Sequence, residues 1–125
     1  MRFQIYKKPR DGKYYFKLKA KNGWPLLTSK AHESVKDCED TIEVLRRNAT
    51  DDEQYERKIA KNGRHYFEIK DEKTATLAVS RLYKRRTTVT KAIKRVQTLA
   101  PKSVVIIKQP VFKASQATKK KQEEV

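Results

Sequence analysis

Apolar and polar residues alternate from the start of the chain. In RFQIYK, residues 2–7, Phe3 and Ile5 fall on one face, the period of a half-buried strand. PRDG, 9–12, reads as a turn. YYFKLKA, 14–20, places Phe16, Leu18 and Ala20 on one face and Tyr15, Lys17 and Lys19 on the other. After Lys21-Asn22-Gly23, the run WPLLTS places Trp24, Leu26 and Thr28 together. A three-residue turn keeps that face whole, pairing Ala20 with Trp24, Leu18 with Leu26 and Phe16 with Thr28. The pattern therefore predicts a type I turn with Gly23 left-handed in a bulge. The period then changes from two to 3.6. Ser34 is a good N-cap, Asp37 suits the first turn, and Val35, Cys38, Ile42, Leu45 and Ala49 form one helical stripe.

The same pattern recurs 51 residues later. Gly12 meets Gly63, Tyr15 meets Tyr66, Phe16 meets Phe67, Lys19 meets Lys70, Leu26 meets Leu77, Ser29 meets Ser80, Ile42 meets Ile93 and Ala49 meets Ala100. The register holds without a gap from residue 11 to residue 49. Upstream, Phe3 meets Tyr55 if one residue is dropped from the loop. This is a duplication. In the second copy Thr87 or Thr88 is the expected cap, Val89, Ala92, Ile93, Val96 and Ala100 form the stripe, and Pro101 blocks continuation. The turn signal at Lys21–Gly23 is lost there, with Lys73 and Thr74 in its place. SVVIIK, 103–108, predicts a closing strand.

The expected fold class is α+β. Two tandem β-β-β-α(-β) repeats, 1–53 and 54–108, form a single mainly antiparallel sheet with both helices on one face. Residues 109–125 read as a flexible basic tail with a lysine run at Lys119–Lys121. One repeat alone would bury too little surface to be comfortable; two sharing a sheet bury enough.

The residues quoted resemble the YegP-like family, a tandem-repeat prokaryotic domain of unknown function. Gly12, Phe16, Leu18, Lys19, Ala20, Asn22, Gly23, Leu26, Ser29, Ile42 and Ala49 carry the match in the first copy. Gly63, Phe67, Ile69, Leu77, Ser80, Tyr83, Ile93 and Ala100 carry it in the second, which departs at Asp71, Lys73 and Thr74. The usual aromatic before the helix is His32 in the first copy. The resemblance covers about residues 2–108. It implies one antiparallel sheet with the last strand of each repeat exchanged to the other. It brings no activity and no catalytic residues.

Charge changes the picture only in the second half. The chain carries +16. Residues 1–53 hold 12 Lys/Arg against 9 Asp/Glu, and residues 54–125 hold 19 against 6. Such an excess attracts polyanions, nucleic acid first. The basic residues cluster as Arg81, Lys84, Arg85, Arg86, Lys91, Lys94 and Arg95, with no acid among them. These seven are the candidate nucleic-acid-binding residues, through phosphate contacts. A second candidate surface is the helix-free sheet face, where Tyr15, Lys17, Lys19, Tyr66 and Lys70 would offer stacking platforms among cations.

Catalytic and metal chemistry find little support. His32 and His65 have no partner at metal or triad spacing and align with Tyr83 and Tyr14. Cys38 lies on the helix stripe as a small core residue. The carboxylates Asp37, Glu39, Asp40 and Glu43 read as a solvated face. A single cysteine builds no disulfide framework within one chain, and neither a signal peptide nor an apolar run of about 20 residues is visible. The reading is a soluble, cytoplasmic, non-enzymatic protein without cofactor or metal, a monomer or homodimer, binding DNA or RNA and no membrane. The alternative is a protein-interaction or structural module with an acidic partner.

Overall fold

The computed structural model describes residues 1–108; the predicted tail at 109–125 lies outside them. The strands are β1 (Arg2–Lys7), β2 (Tyr14–Lys19), β3 (Pro25–Ser29), β4 (Tyr55–Ile59), β5 (His65–Lys70), β6 (Thr76–Ser80) and β7 (Val104–Ile107). The helices are α1 (Val35–Asn48) and α2 (Arg86–Leu99). One seven-stranded sheet runs in the order β4-β5-β6-β3-β2-β1-β7. Every neighbouring pair is antiparallel except β1 and β7.

The duplication sets the symmetry. At the centre β3 meets β6, with Leu27 opposite Ser80, Thr28 opposite Val79 and Ser29 opposite Ala78. A shift of 51 residues maps Leu27 onto Ala78, Thr28 onto Val79 and Ser29 onto Ser80. The pairing is therefore carried into itself, and a local two-fold axis passes beside Thr28 and Val79. The two halves meet as identical subunits meet in a two-fold dimer, within one chain.

Both helix stripes close on one side of this sheet. Phe3, Ile5, Phe16, Leu18, Phe67 and Ile69 from the strands join Cys38, Ile42, Leu45, Val89 and Val96 from the helices in a single core. Phe16 and Phe67 occupy equivalent places and are fully buried. Each such burial stabilises the fold by about 1.5–3 kcal/mol. The repeated serines also have a structural task. Where β3 leaves β2, Ser29 Oγ accepts from the Phe16 amide at 2.9 Å and donates to the Lys30 carbonyl at 2.8 Å. Ser80 does the same for Phe67 and Arg81, at 2.9 and 2.8 Å. A hydroxyl thus replaces the ladder bond that the diverging strand no longer supplies.

The predicted turn is present and the predicted register is not. Gly23 has φ +87°, and its amide donates to the Ala20 carbonyl at 2.9 Å. Ala20 pairs with Trp24, as expected from the three-residue turn. Beyond it, however, Leu18 pairs with Leu27 and Lys17 with Thr28. Leu26 is a bulge residue, so Leu26 and Leu27 both reach the core while Thr28 turns to the helix-free face. The second copy repeats this with Leu77 and Ala78. Thr74 there takes φ +67° and keeps the same turn without glycine.

Two further expectations are corrected. Neither Thr87 nor Thr88 caps α2; the cap lies two residues before Thr87, at Arg85, which makes no side-chain cap bond, and the helix begins at Arg86. The strand exchange is also one-sided. β7 crosses to pair with β1, but after α1 the chain passes only through a 3-10 turn at Asp52–Gln54 before β4, and among the described residues no strand lies outside β4.

Candidate nucleic-acid interface

All seven residues of the basic cluster are exposed. Among the described residues none of them joins an ion pair. They do not form one patch. At about 100° per residue, Lys91 and Lys94 point away from the buried stripe of Val89, Ala92, Ile93 and Val96. Arg86 lies on the flank facing β4, where a cavity of about 230 Å³ is lined by Arg57, Arg86 and Val89 among others. Arg95 lies on the other flank. Arg81 stands off the helix, its guanidinium 4.5 Å from the centre of the Trp24 ring and 6.0 Å from that of Tyr83. Lys84 and Arg85 occupy the loop into α2.

The start of α2 is electrostatically unfavourable. α1 is capped by Ser34, whose Oγ accepts from the Asp37 amide at 3.1 Å, with Arg46 and Arg47 in the last turn. α2 has Arg85 at the cap, Arg86 at the first position, no acid in the first turn and no cation in the last. Each misplaced exposed charge costs a few tenths of a kcal/mol up to about 1. An anion drawn to this end would be stabilised by the same dipole.

Tyr83 marks a local difference between the halves. Its first-copy counterpart, His32, packs on Phe16 and shares a 3.0 Å hydrogen bond with Thr41 Oγ1 on α1. The position of Thr41 is held by Ala92 in the second copy, and the Tyr83 hydroxyl is buried without a partner. Burial raises its pKa, while the nearby charges of Arg81 and Arg95 act to lower it.

The helix-free sheet face also divides. In the first half Tyr6 and Tyr15 stack with centroids 5.9 Å apart and planes at 22°. Lys8 lies 4.2 Å from the Tyr15 centroid and Lys17 lies 5.2 Å from that of Tyr6. In the second half Glu56 and Glu68 stand where Gln4 and Lys17 stand in the first. Lys70 Nζ pairs with Glu56 at 2.7 Å and Glu68 at 3.7 Å, and Lys58 pairs with Glu68 at 3.1 Å. The expected five-residue surface is thus corrected. Tyr15, Lys17 and Lys19 lie on a cationic half together with Tyr6, which the alternation pattern did not single out. Tyr66 and Lys70 lie on a neutralised one. The alternation of Glu56 with Lys58 and of Glu68 with Lys70 was the available signal.

Cys38 is fully buried, and its surroundings push its thiol up to about 11. His65 bridges Tyr83 through the backbone, as Tyr14 bridges His32. Among the described residues no group of three His, Cys, Asp or Glu side chains is placed to hold a metal ion. No helix among them is long and apolar enough to cross a membrane.

Comparison with known proteins agrees with the repeat and the fold. The family model "Domain of unknown function (DUF1508)" matches twice, over residues 10–56 and 60–106. The chain belongs to this family. The chain is also similar to several UPF0339 proteins. It is 31% identical over 104 residues to the UPF0339 protein of the ptx operon 5′ region of Stutzerimonas stutzeri, covering 83% of this chain and 93% of that one. It is 37% identical over 76 residues to YegP of Escherichia coli K12, covering 61% and 69%. The solution structure of E. coli YegP superposes with a TM-score of 0.79 at 30% identity, over 85% of this chain and 90% of that one. A UPF0339 protein of Shewanella oneidensis gives the same TM-score at 24% identity, over 85% and 89%.

Proposed function

We propose that this DUF1508 protein is a non-enzymatic nucleic-acid-binding protein that holds phosphates on the exposed side of α2. The observation that carries the reading is the pair of helices. Lys91 and Lys94 project from α2 beside Arg95 with no carboxylate on that helix, whereas α1 carries Asp37, Glu39, Asp40 and Glu43. Arg81, Lys84, Arg85 and Arg86 extend the positive surface around the start of the helix. Such a surface favours phosphate over base edges, so binding should be strong at low salt and nearly indifferent to sequence. The Tyr6–Tyr15 surface is the weaker site for stacking, because Lys8 and Lys17 already lie over those rings.

The test is fluorescence anisotropy with labelled single- and double-stranded oligonucleotides at several salt concentrations. Wild type should bind with a steep salt dependence. Lys91→Glu/Lys94→Glu should weaken binding to all sequences alike and shallow the log–log slope by about 2, one for each phosphate that the lysines no longer neutralise. Absence of binding at low salt, or a double variant that binds as wild type does, overturns the proposal.

A further inference from the structure

The outer edge of β4 is the internal counterpart of an edge that this same chain covers. Phe3, Ile5 and Lys7 of β1 pair with Leu18, Phe16 and Tyr14 of β2. Tyr55, Arg57 and Ile59 of β4 pair with Ile69, Phe67 and His65 of β5. The shift of 51 makes Leu18 and Ile69, Phe16 and Phe67, and Tyr14 and His65 equivalent, so Ile5 corresponds to Arg57 and Lys7 to Ile59. On β1 the outward backbone is taken by β7 in parallel register, with Val105 beside Phe3 and Ile107 beside Ile5. The Ile5 carbonyl accepts from the Lys108 amide at 2.7 Å. The shared register leaves the N–H and C=O of Arg57 facing outward in the same way, and nothing among the described residues lies there.

The side chains along this edge differ from β1 in a directed way. Three positions that hold Ile5, Tyr14 and Val35 in the first half, all within or against the core, hold Arg57, His65 and Arg86 in the second. They line the cavity of about 230 Å³ beside β4. Arg57 Nη2 donates to Thr90 Oγ1 at 2.8 Å, a neutral partner that leaves its charge uncompensated. Ile59, by contrast, is 67% exposed at the place of a lysine. The other charges on this strand are already answered, Glu56 by Lys70 and Lys58 by Glu68.

We propose that the β4 edge is a docking site for an extended acidic peptide segment of a protein partner. It adds as an eighth strand, parallel to β4, as β7 adds to β1. Backbone hydrogen bonds supply the attachment, and alternate side chains supply the choice of partner. The residue opposite Arg57 is Asp or Glu, reaching the cavity between Arg57 and Arg86. The residue two further on is apolar and covers Ile59. The one two before is apolar and lies beside Tyr55, as Val105 lies beside Phe3. Arg57 also sets the selectivity, because an uncharged or basic residue at that position would leave its charge unanswered.

The probe is a capped octapeptide, Ser-Thr-Val-Thr-Glu-Thr-Val-Lys, built on the β7 pattern with glutamate at the Ile107 place. Its control carries lysine instead of glutamate. Both are titrated into the full ¹⁵N-labelled chain. The glutamate peptide should shift the amide resonances of Tyr55–Ile59 and slow exchange of the outward Arg57 amide. It should bind about tenfold more tightly than the control, a difference that Arg57→Ile removes. Since Arg57 is outside the basic cluster, oligonucleotide binding should be unchanged in that variant, so the two proposals fail separately. Equal binding of both peptides, or shifts confined to Lys91 and Lys94, overturns the proposal. So does an Arg57 amide already protected in the free protein, which would mean that the chain itself or, if protection grows with concentration, a second copy fills the edge.

Discussion

Ser34 and Asp37 stand at the start of α1, and Arg46 and Arg47 stand at its end. Arg85 and Arg86 stand at the start of α2, and its last turn holds no cation. The same reversal marks the outer strands. Ile5 of β1 is fully buried in the core beside β7, while its counterpart Arg57 of β4 is exposed at an edge that no described residue covers. The two halves share a core, Phe16 with Phe67 and Leu18 with Ile69, and differ at their surfaces and ends. Duplication lets one copy keep the features that stabilise a helix and a covered edge. The other copy, held by the shared sheet, tolerates charges placed against local stability. Such departures from local consistency are where a binding role is sought.

Exchanging residues between equivalent positions breaks the comparison most forcefully at Ile5 and Arg57. Ile5→Arg forces a cation into the buried core beside β7. It should cost at least about 3–5 kcal/mol or prevent folding, through the lost burial and the unpaired charge together. Arg57→Ile places the same residue on an open edge and should change stability by no more than about 0.5 kcal/mol. Urea unfolding of the two variants checks the contrast. Equal effects would mean that the second edge is covered as the first is.

The hairpin turns give the next largest difference. Gly23 and Thr74 both have positive φ, +87° and +67°. A Cβ on Gly23 would meet nothing within 4 Å, so the cost of a side chain there lies in the backbone alone. Gly23→Thr should destabilise by about 1–2 kcal/mol. Thr74→Gly should stabilise by about 0.5–1 kcal/mol, the relieved strain being partly offset by the entropy of glycine. In the second turn Asp71 Oδ1 accepts from the Lys73 and Ala75 amides, each at 2.9 Å, and these bonds hold Thr74 in place. Thermal unfolding measures both variants; a Thr74→Gly protein less stable than wild type would mean that this bracing removes the strain.

The duplication, the strand faces and the helix stripes were legible because apolar periodicity and register survive in one sequence. Gly23 announced its turn because few other residues adopt its φ. The bulge at Leu26 was not deduced, although adjacent apolar residues, Leu26-Leu27 and Leu77-Ala78, are what a bulge needs to send both inward. The cap of α2 does not follow from the sequence, because Thr87 and Thr88 offer a better cap than the arginine that stands there. Sequence gives no angle between a loop and a helix, so the seven basic residues read as one set; in the structure they separate into two flanks, an outward face and a loop. The open edge at β4 was invisible because it depends on which strand crosses over. Only the topology shows that β7 closes one end of the sheet and that nothing among the described residues closes the other.

The smallest predicted effects bear most directly on what α2 is for. Ser34→Ala should cost about 1 kcal/mol by leaving the Asp37 amide without its acceptor. Arg85→Ser installs in α2 the cap that α1 has and removes a cation from the positive end of the helix dipole. It should raise stability by about 0.5–1 kcal/mol, read as a higher urea midpoint at unchanged slope. The same substitution removes one of the seven proposed phosphate-binding cations. Oligonucleotide affinity should therefore fall at all sequences, and the salt slope should shallow by about 1. A variant that is more stable and binds less tightly would show that the start of α2 exchanges helix stability for anion binding. A variant that is more stable with affinity untouched would exclude Arg85 from the interface and confine it to Lys91, Lys94 and their neighbours on the helix itself.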